Sequence, residues 1–254
     1  MIAHERHQAI LAALQKRSPL ATTDLEKRLR ASPATVRRDL ALLEKLGKIV
    51  RTHGGVLHPE HATGELSFDR RSRAALKAKL ALARAAVASI RGGDVVFVDA
   101  GTTTLEAGRR LLAMEDLTVF TNSIPLLNEP PAAGTRLIAV GGEVRGVSLA
   151  LVGAGAVEWL RQVRVDVAFL GASGIEPAAG PSTTELAEAG VKRAILAQAG
   201  RVAVLADASK WGQPAAIRYA AWSQIHDFYT NHAITPAERA ALIRQGTRCH
   251  VVDC

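Results

Sequence analysis

Two groups of residues have the types and spacing to do chemistry. The first runs from Ser32 to Gly55, where Arg37 and Arg38 follow Ser32-Pro33-Ala34-Thr35-Val36, and Arg51 and His53 precede Gly54-Gly55. A guanidinium fork can take guanine O6 and N7 together or clamp phosphates, so adjacent arginines near a helix start suit DNA. A merely solvated basic helix would carry the same pair, and the residues that follow must decide between the two. The second group is Gly101 followed by Thr102, Thr103 and Thr104. Backbone amides, hydroxyls and a positive helix end together suit a phosphate, and Lys192 and Lys210 could neutralise it. An ordinary helix N-cap explains part of that pattern.

The elements that must position the first group are legible. Ile10, Leu11 and Leu14 predict a helix over 5–14, and Ser18-Pro19-Leu20 breaks it. Thr23-Asp24-Leu25-Glu26 has the form of a capping box and predicts a second helix with Leu25 and Leu29 inward. Ser32 as N-cap and Pro33 in the first turn start a third helix. Its Val36, Leu40 and Leu43 form an apolar stripe. Thr35, Arg37 and Arg38 then face outward near the N-terminal end, where a recognition helix meets base edges. Leu46-Gly47 ends the helix. Lys48 to Arg51 reads as a strand, Thr52 to Gly55 as a turn and Val56-Leu57 as a returning strand. Three helices and a hairpin predict a winged helix-turn-helix over residues 1–58. Gly54 and Gly55 let its tip turn sharply, and Arg51 and His53 reach phosphate or minor groove.

Charge agrees with that assignment. The net charge of the 254-residue chain is +8, and counting along the sequence puts +6 of it in the first 58 residues. Concentrated positive charge is what a polyanion-binding module needs. At 48% hydrophobic and 22% charged, the chain reads as globular. No stretch approaches the ~18 apolar residues of a membrane span, and the polar N-terminus is unlike a signal peptide, so a cytoplasmic protein is expected. Cys249 and Cys254 do not make a disulfide framework. The eight histidines are scattered without metal-ligand spacing. No metal and no cofactor are expected.

Residues 59–75 read as a connector, with Pro59, Gly64 and the basic cluster Arg70, Arg71 and Arg73. From Leu76 to about Ile90 a helix is predicted. Buried-strand patterns follow at Val95–Val98, Leu117–Phe120, Leu137–Val140, Val165–Leu170 and Val202–Leu205, with helical segments between most of them. That alternation predicts an α/β domain over 76–254 with a mostly parallel sheet covered on both faces. Small or polar residues follow each strand: Asp99 to Thr104, Thr121-Asn122-Ser123, Gly141-Gly142, Gly171 to Gly174 and Asp207 to Lys210. Ligands of open α/β sheets bind outside the strand C-terminal ends. Gly190 sits inside the helix predicted over 184–199, at about 1 kcal/mol against alanine.

The run Ser32 to Leu40, followed by Arg51-Thr52-His53-Gly54-Gly55, resembles the signature of DeoR-family bacterial repressors. The strand-end motifs resemble that family's sensor domain: DAGTT at 99–103, TNS at 121–123, GG at 141–142, FLGASG at 169–174, EAGVKRA at 188–194 and DASKWG at 207–212. Trp211, where phenylalanine is more usual, and Gly190 depart from it. The resemblance implies a fold related to ribose-5-phosphate isomerase and coenzyme A transferases. It implies a repressor of a carbohydrate-metabolism operon, reading double-stranded operator DNA and modulated by a phosphorylated sugar or similar metabolite. The DNA contacts it points to are Ser32, Thr35, Arg37, Arg38, Arg51, His53 and Gly54. The effector contacts are Asp99, Gly101, Thr102, Thr103, Thr104, Thr121, Asn122, Gly141, Gly142, Gly171, Lys192 and Lys210. Paired half-sites imply a homo-oligomer. An isomerase carrying a DNA-binding head is the other reading, but aldose–ketose isomerisation needs a positioned carboxylate. Gly171-Ala172-Ser173-Gly174 has none, which leaves Glu185, Glu188 and Asp99 as candidates.

Overall fold

The computed structural model of the protein describes residues 2–52, 54–57 and 66–254. It divides into two compact units, Met1–Ser67 and Phe68–Cys254.

In the first unit, α1 (Ala3–Lys16), α2 (Thr22–Leu29) and α3 (Pro33–Lys45) pack with a small antiparallel sheet of β1 (Leu20–Ala21), β2 (Val50–Thr52) and β3 (Gly55–Leu57). The sheet order is β1-β3-β2. Ile10, Leu14, Leu25, Leu29, Val36, Leu40 and Leu43 close one core with Leu20, Ile49 and Val56, so the predicted apolar stripe of α3 is the buried one. Two local expectations are corrected. Leu20-Ala21 forms a strand paired with Val56 and Gly55, whereas the sequence suggested only a helix break. The Thr23 capping box does not form, because α2 begins at Thr22 with Ala21 as an N-cap lacking a side-chain hydrogen bond. Strand pairing holds the chain extended through Ala21, and Thr22 turns its amide and hydroxyl to Gly54 O, at 3.0 and 3.3 Å.

The second unit is built on seven strands: β4 (Val95–Val98), β5 (Thr118–Thr121), β6 (Arg136–Ala139), β9 (Val165–Gly171), β12 (Ala199–Leu205), β14 (Asp227–Thr230) and β15 (Arg248–Val251). Their order is β15-β14-β12-β9-β4-β5-β6, and every neighbouring pair is parallel. All seven C-terminal ends therefore lie on one edge. Residues 68–73, within the stretch read as a connector, form the short helix α4 (Phe68–Arg73) with Phe68 buried; Pro59 and Gly64 lie outside the described residues.

The helices α5 (Leu76–Val87), α6 (Thr102–Leu112), α7 (Ile124–Leu127), α8 (Ala154–Leu160), α9 (Leu186–Leu196) and α10 (Pro236–Arg244) surround the sheet. The strands read as continuous apolar runs because alternate residues serve two cores. Val96, Val98, Phe169, Ala203 and Leu205 pack with Leu82 of α5 and Leu105 and Leu111 of α6. Phe97, Ala168, Leu170, Val202 and Val204 pack with Leu160 of α8 and Val191 and Ile195 of α9. A period of two thus buries both faces.

Smaller antiparallel pieces, which the sequence did not suggest, flank the sheet. β7 (Glu143–Arg145) and β8 (Ala150–Val152) form a hairpin. β10 (Gly174–Glu176), β11 (Gly180–Thr183) and β13 (Ile217–Arg218) form a three-stranded sheet. At Gly190 an added Cβ would lie 3.5 Å from Val157 Cγ2, an ordinary contact, so packing does not require glycine there. Among the described residues no helix is long and apolar enough to cross a membrane.

Candidate functional site

In the first unit Ser32 caps α3, its Oγ accepting from the Thr35 amide at 3.2 Å and lying 2.9 Å from Thr35 Oγ1. Ser32, Arg37 and Arg38 are exposed and Thr35 is half-buried. The Arg37 guanidinium rests back on Pro33 O at 3.3 Å. Between these arginines and the core stripe sits Asp39, which is buried. It accepts two hydrogen bonds from Arg6, at 2.7 and 3.1 Å, and lies 3.0 Å from His7 Nε2. This clamp fixes α3 to α1 across the face away from the arginines, and Arg6 foremost holds the Asp39 carboxyl below its usual range. The clamp is intact above the ordinary aspartate range and is lost as acid protonates Asp39 through its lowered pKa. A charged residue one step from the apolar stripe was the available signal for it.

The wing turn is tight. Gly54 has φ +80° with open space around an added Cβ, and at Gly55 a Cβ would sit 2.7 Å from Leu20 O. Arg51 is loosely held, 3.9 Å from Glu44. His53 lies outside the described residues.

In the second unit the predicted strand-end residues gather along one sheet edge. Asp99 is buried at the end of β4. Its Oδ2 accepts from the Gly171 amide at 2.9 Å and from Lys192 Nζ. Lys192 also donates to Gly171 O at 3.1 Å and lies 5.2 Å from the centre of the Tyr219 ring. Tyr219 donates to the same carbonyl at 2.9 Å. Burial, then the charge of Asp99, pushes its phenol well above its usual pKa, so it stays a donor.

Gly101 is the N-cap of α6 and offers no side chain to cap it. Thr102 and Thr103 form the first turn, whose amides point away from the helix body. The Thr104 hydroxyl donates instead to Asp99 O at 2.6 Å. Thr121 donates to Val98 O at 2.7 Å. Asn122 accepts from the Ala100 amide at 2.8 Å and donates to Leu151 O at 3.3 Å, pinning the β4 and β5 ends to the hairpin. Gly141 and Gly142 lie exposed after β6, and a Cβ on Gly142 would sit 2.5 Å from Val152 O.

At the end of β12, Lys210 is half-buried and makes no ion pair among the described residues. Lys79 of α5, which the sequence reading missed, is buried beside it and donates to Arg71 O. Burial lowers the Lys79 pKa; Asp207 opposes the shift, while Lys210 and Arg71 add to it. A lysine inside an apolar helical stripe was its visible signal. Glu188, expected from sequence only as a candidate carboxylate, is buried. It accepts from Arg145 at 3.0 Å and Thr183 at 2.9 Å. Burial pushes its carboxyl up, but Lys192, Ser148, Arg145 and Thr183 together hold it below its usual range. Glu188 and Lys192, four residues apart, share one helix face.

The three carboxylates that could have served as a base are thus committed: Asp99 to Lys192, Glu188 to Arg145, and Glu185 to capping α9 through the Glu188 amide at 3.0 Å. Among the described residues no cluster of three or more histidine, cysteine or acidic side chains could hold a metal ion.

Comparison with known proteins agrees with both units. Residues 6–62 match the model of the DeoR-like helix-turn-helix domain, and residues 74–232 that of the DeoR C terminal sensor domain. The chain is 32% identical to the HTH-type transcriptional regulator YgbI of Escherichia coli K12 over 96% of each chain. It is 31% identical to the HTH-type transcriptional regulator GlpR of Haloferax volcanii, over 100% of this chain and 98% of that one. It is 29% identical to the glycerol-3-phosphate regulon repressor of E. coli K12, over 89% and 90%. A solved D-ribose-5-phosphate isomerase is similar over 52% of each chain, at 20% identity and a TM-score of 0.37. A DNA-reading head and a sensor domain, matched in that order along the chain, place this protein in the DeoR family of transcriptional regulators.

Proposed function

We propose that the protein represses a carbohydrate-metabolism operon, gripping paired operator half-sites as a homo-oligomer, and that a phosphorylated sugar or related metabolite modulates the grip. Ser32, Thr35, Arg37 and Arg38 of α3 meet the major groove, and Arg51, His53 and Gly54 bring the wing to the backbone or minor groove. The effector lies over the C-terminal edge of the seven-stranded sheet. The observation that carries this reading is the start of α6: Gly101 leaves the first-turn amides without a capping side chain, and such a helix end favours an anion. Lys210 supplies the positive charge. Lys192 is committed to Asp99 and shapes the Gly171 loop from beneath. Asp99, Thr104, Thr121 and Asn122 hold the strand ends in place, leaving Thr102, Thr103, Gly141 and Gly142 to line the ligand. The glycerol-3-phosphate regulon repressor among the relatives supports a phosphorylated effector.

The test is operator titration with and without phosphorylated sugars, for the wild type and Lys210→Ala. The variant is expected to hold operator normally and to need about tenfold or more effector for the same change, as loss of one charge-assisted hydrogen bond implies. A wild-type response in Lys210→Ala would remove Lys210 from the site.

The wing carries its own prediction. Gly54→Val puts a β-branched residue at φ +80°, a strain of about 1–2 kcal/mol. Operator affinity is expected to fall while melting of the sensor unit is unchanged. Normal binding by Gly54→Val would take the wing out of the interface.

A further inference from the structure

Helix α9 has two sides. Val191 and Ile195 pack into the core against the sheet. On the other side Leu186, Gly190, Arg193 and Ala197 follow at i, i+4, i+7 and i+11 and so share one face. Leu186, at the start of that face, is 65% exposed. Toward its end a groove of about 640 Å³ opens between α8 and α9, lined by Val157, Arg161, Gly190, Arg193, Ala194 and Ala197. Arg193 is held at its rim by a hydrogen bond to Arg218 O at 2.6 Å. One helix thus carries an apolar knob and a hole lined in part by apolar groups, with Gly190 between them. Glycine inside a helix is unfavourable, and an added Cβ would meet only Val157 Cγ2, at 3.5 Å. Both residues line the groove, so a side chain at position 190 would fill the groove without clashing with the rest of the chain.

The pattern on this face says what covers it. Arginines alone would suit a polyanion, but Leu186 and Glu185 stand on the same surface and do not. A two-fold contact needs a surface complementary to itself. Antiparallel pairing of α9 with a second α9 about an axis at Gly190 sets residues equally far before and after Gly190 against each other. Leu186 then comes opposite Ala194 and the groove. The charges fall in the same arrangement: Glu185, beside Leu186, comes within a turn of Arg193 of the other copy, and Arg161 stands on the far wall of the groove. Parallel pairing would set Leu186 against Leu186 and Arg193 against Arg193, leaving the groove empty. We infer that two copies of the chain meet through this face, α9 antiparallel to α9, with Leu186 of each copy seated in the groove of the other. This rests on the reading of the protein as a homo-oligomer and names the surface that joins it.

The experiment is sedimentation equilibrium of the full chain, without DNA or effector, for the wild type, Leu186→Glu, Gly190→Leu, Glu185→Lys, Arg193→Glu and an equimolar mixture of the last two. The wild type is expected to self-associate. Leu186→Glu removes the knob and Gly190→Leu fills the hole, so both should keep the wild-type circular dichroism and dissociate at about tenfold or more higher concentration. Glu185→Lys and Arg193→Glu each set like charges across the axis and weaken association, and their mixture restores it, because each chain then meets its complement. If Leu186→Glu and Gly190→Leu associate like the wild type, this face is not the contact, and the reading as a homo-oligomer stands on another surface. If the mixture associates no better than its components, the antiparallel pairing is overturned. A wild type that stays monomeric up to about 100 μM would overturn the homo-oligomer reading and this inference together.

Discussion

Replacing Arg37 or Arg38 by alanine is expected to cost about 1–3 kcal/mol of operator affinity, without loss of folding. Both side chains are exposed on the first half of α3, and the core contacts of that helix come from Val36, Leu40 and Leu43 on its other side. The Asp39 clamp to Arg6 and His7 stays in place in either variant, so helix placement is unchanged. The two arginines can be told apart by salt. Loss of a base-reading arginine relaxes specificity at one position and leaves the salt slope alone. Loss of a phosphate contact weakens binding to all sequences and flattens the slope. Fluorescence anisotropy of an operator selected in vitro from random DNA, titrated at several salt concentrations, measures both. Undiminished affinity in both variants at every salt concentration would remove α3 as the reading helix.

The second large effect belongs to the sensor unit. Lys192→Met leaves the Asp99 carboxylate buried without its cation, since the two side chains are only 6% and 3% exposed. Breaking one partner of a buried pair costs about 3–5 kcal/mol. The double variant Asp99→Asn/Lys192→Met is expected to regain much of that loss, because asparagine can still accept from the Gly171 amide without an unbalanced charge. Urea unfolding of the two single variants and the double one gives the coupling directly. A Lys192→Met cost below about 1 kcal/mol would mean that Asp99 is not held by this lysine.

How far the sequence was legible depended on how local the determining physics was. β4 falls on the predicted Val95–Val98, because an apolar run bounded by Gly92-Gly93 and Asp99 carries its own limits. α3 announces itself through Ser32-Pro33 and its stripe. β14 and β15 were missed because Asp227, Thr230, Arg248 and His250 interrupt their apolar residues. In the fold Asp227 accepts two hydrogen bonds from Arg248, at 3.0 and 2.9 Å, and lies 2.7 Å from His250, so a pairing between distant residues replaces the missing hydrophobicity. The two-residue β1 exists only because β3 lies beside it, and the same pairing displaces the Thr23 cap. In the site, the motifs located the strand ends but not which side chains are free there. That Thr104 and Thr121 turn to the backbone, that Lys192 meets Asp99 across 93 residues, and that Lys79 comes from another helix are all products of tertiary packing.

Operator affinity of the wild-type protein can be measured in the presence of paired compounds, each phosphorylated sugar or polyol against its unphosphorylated counterpart. The effector can change operator affinity only through its different affinities for the two protein states. A site formed by the α6 N-terminus and Lys210 draws that difference from the phosphate. At least one phosphorylated compound is therefore expected to shift the operator midpoint, with its unphosphorylated partner inert at the same concentration. If the unphosphorylated compound of an active pair works equally well, or if no phosphorylated compound moves the midpoint, the sheet edge is not a phosphate-reading site.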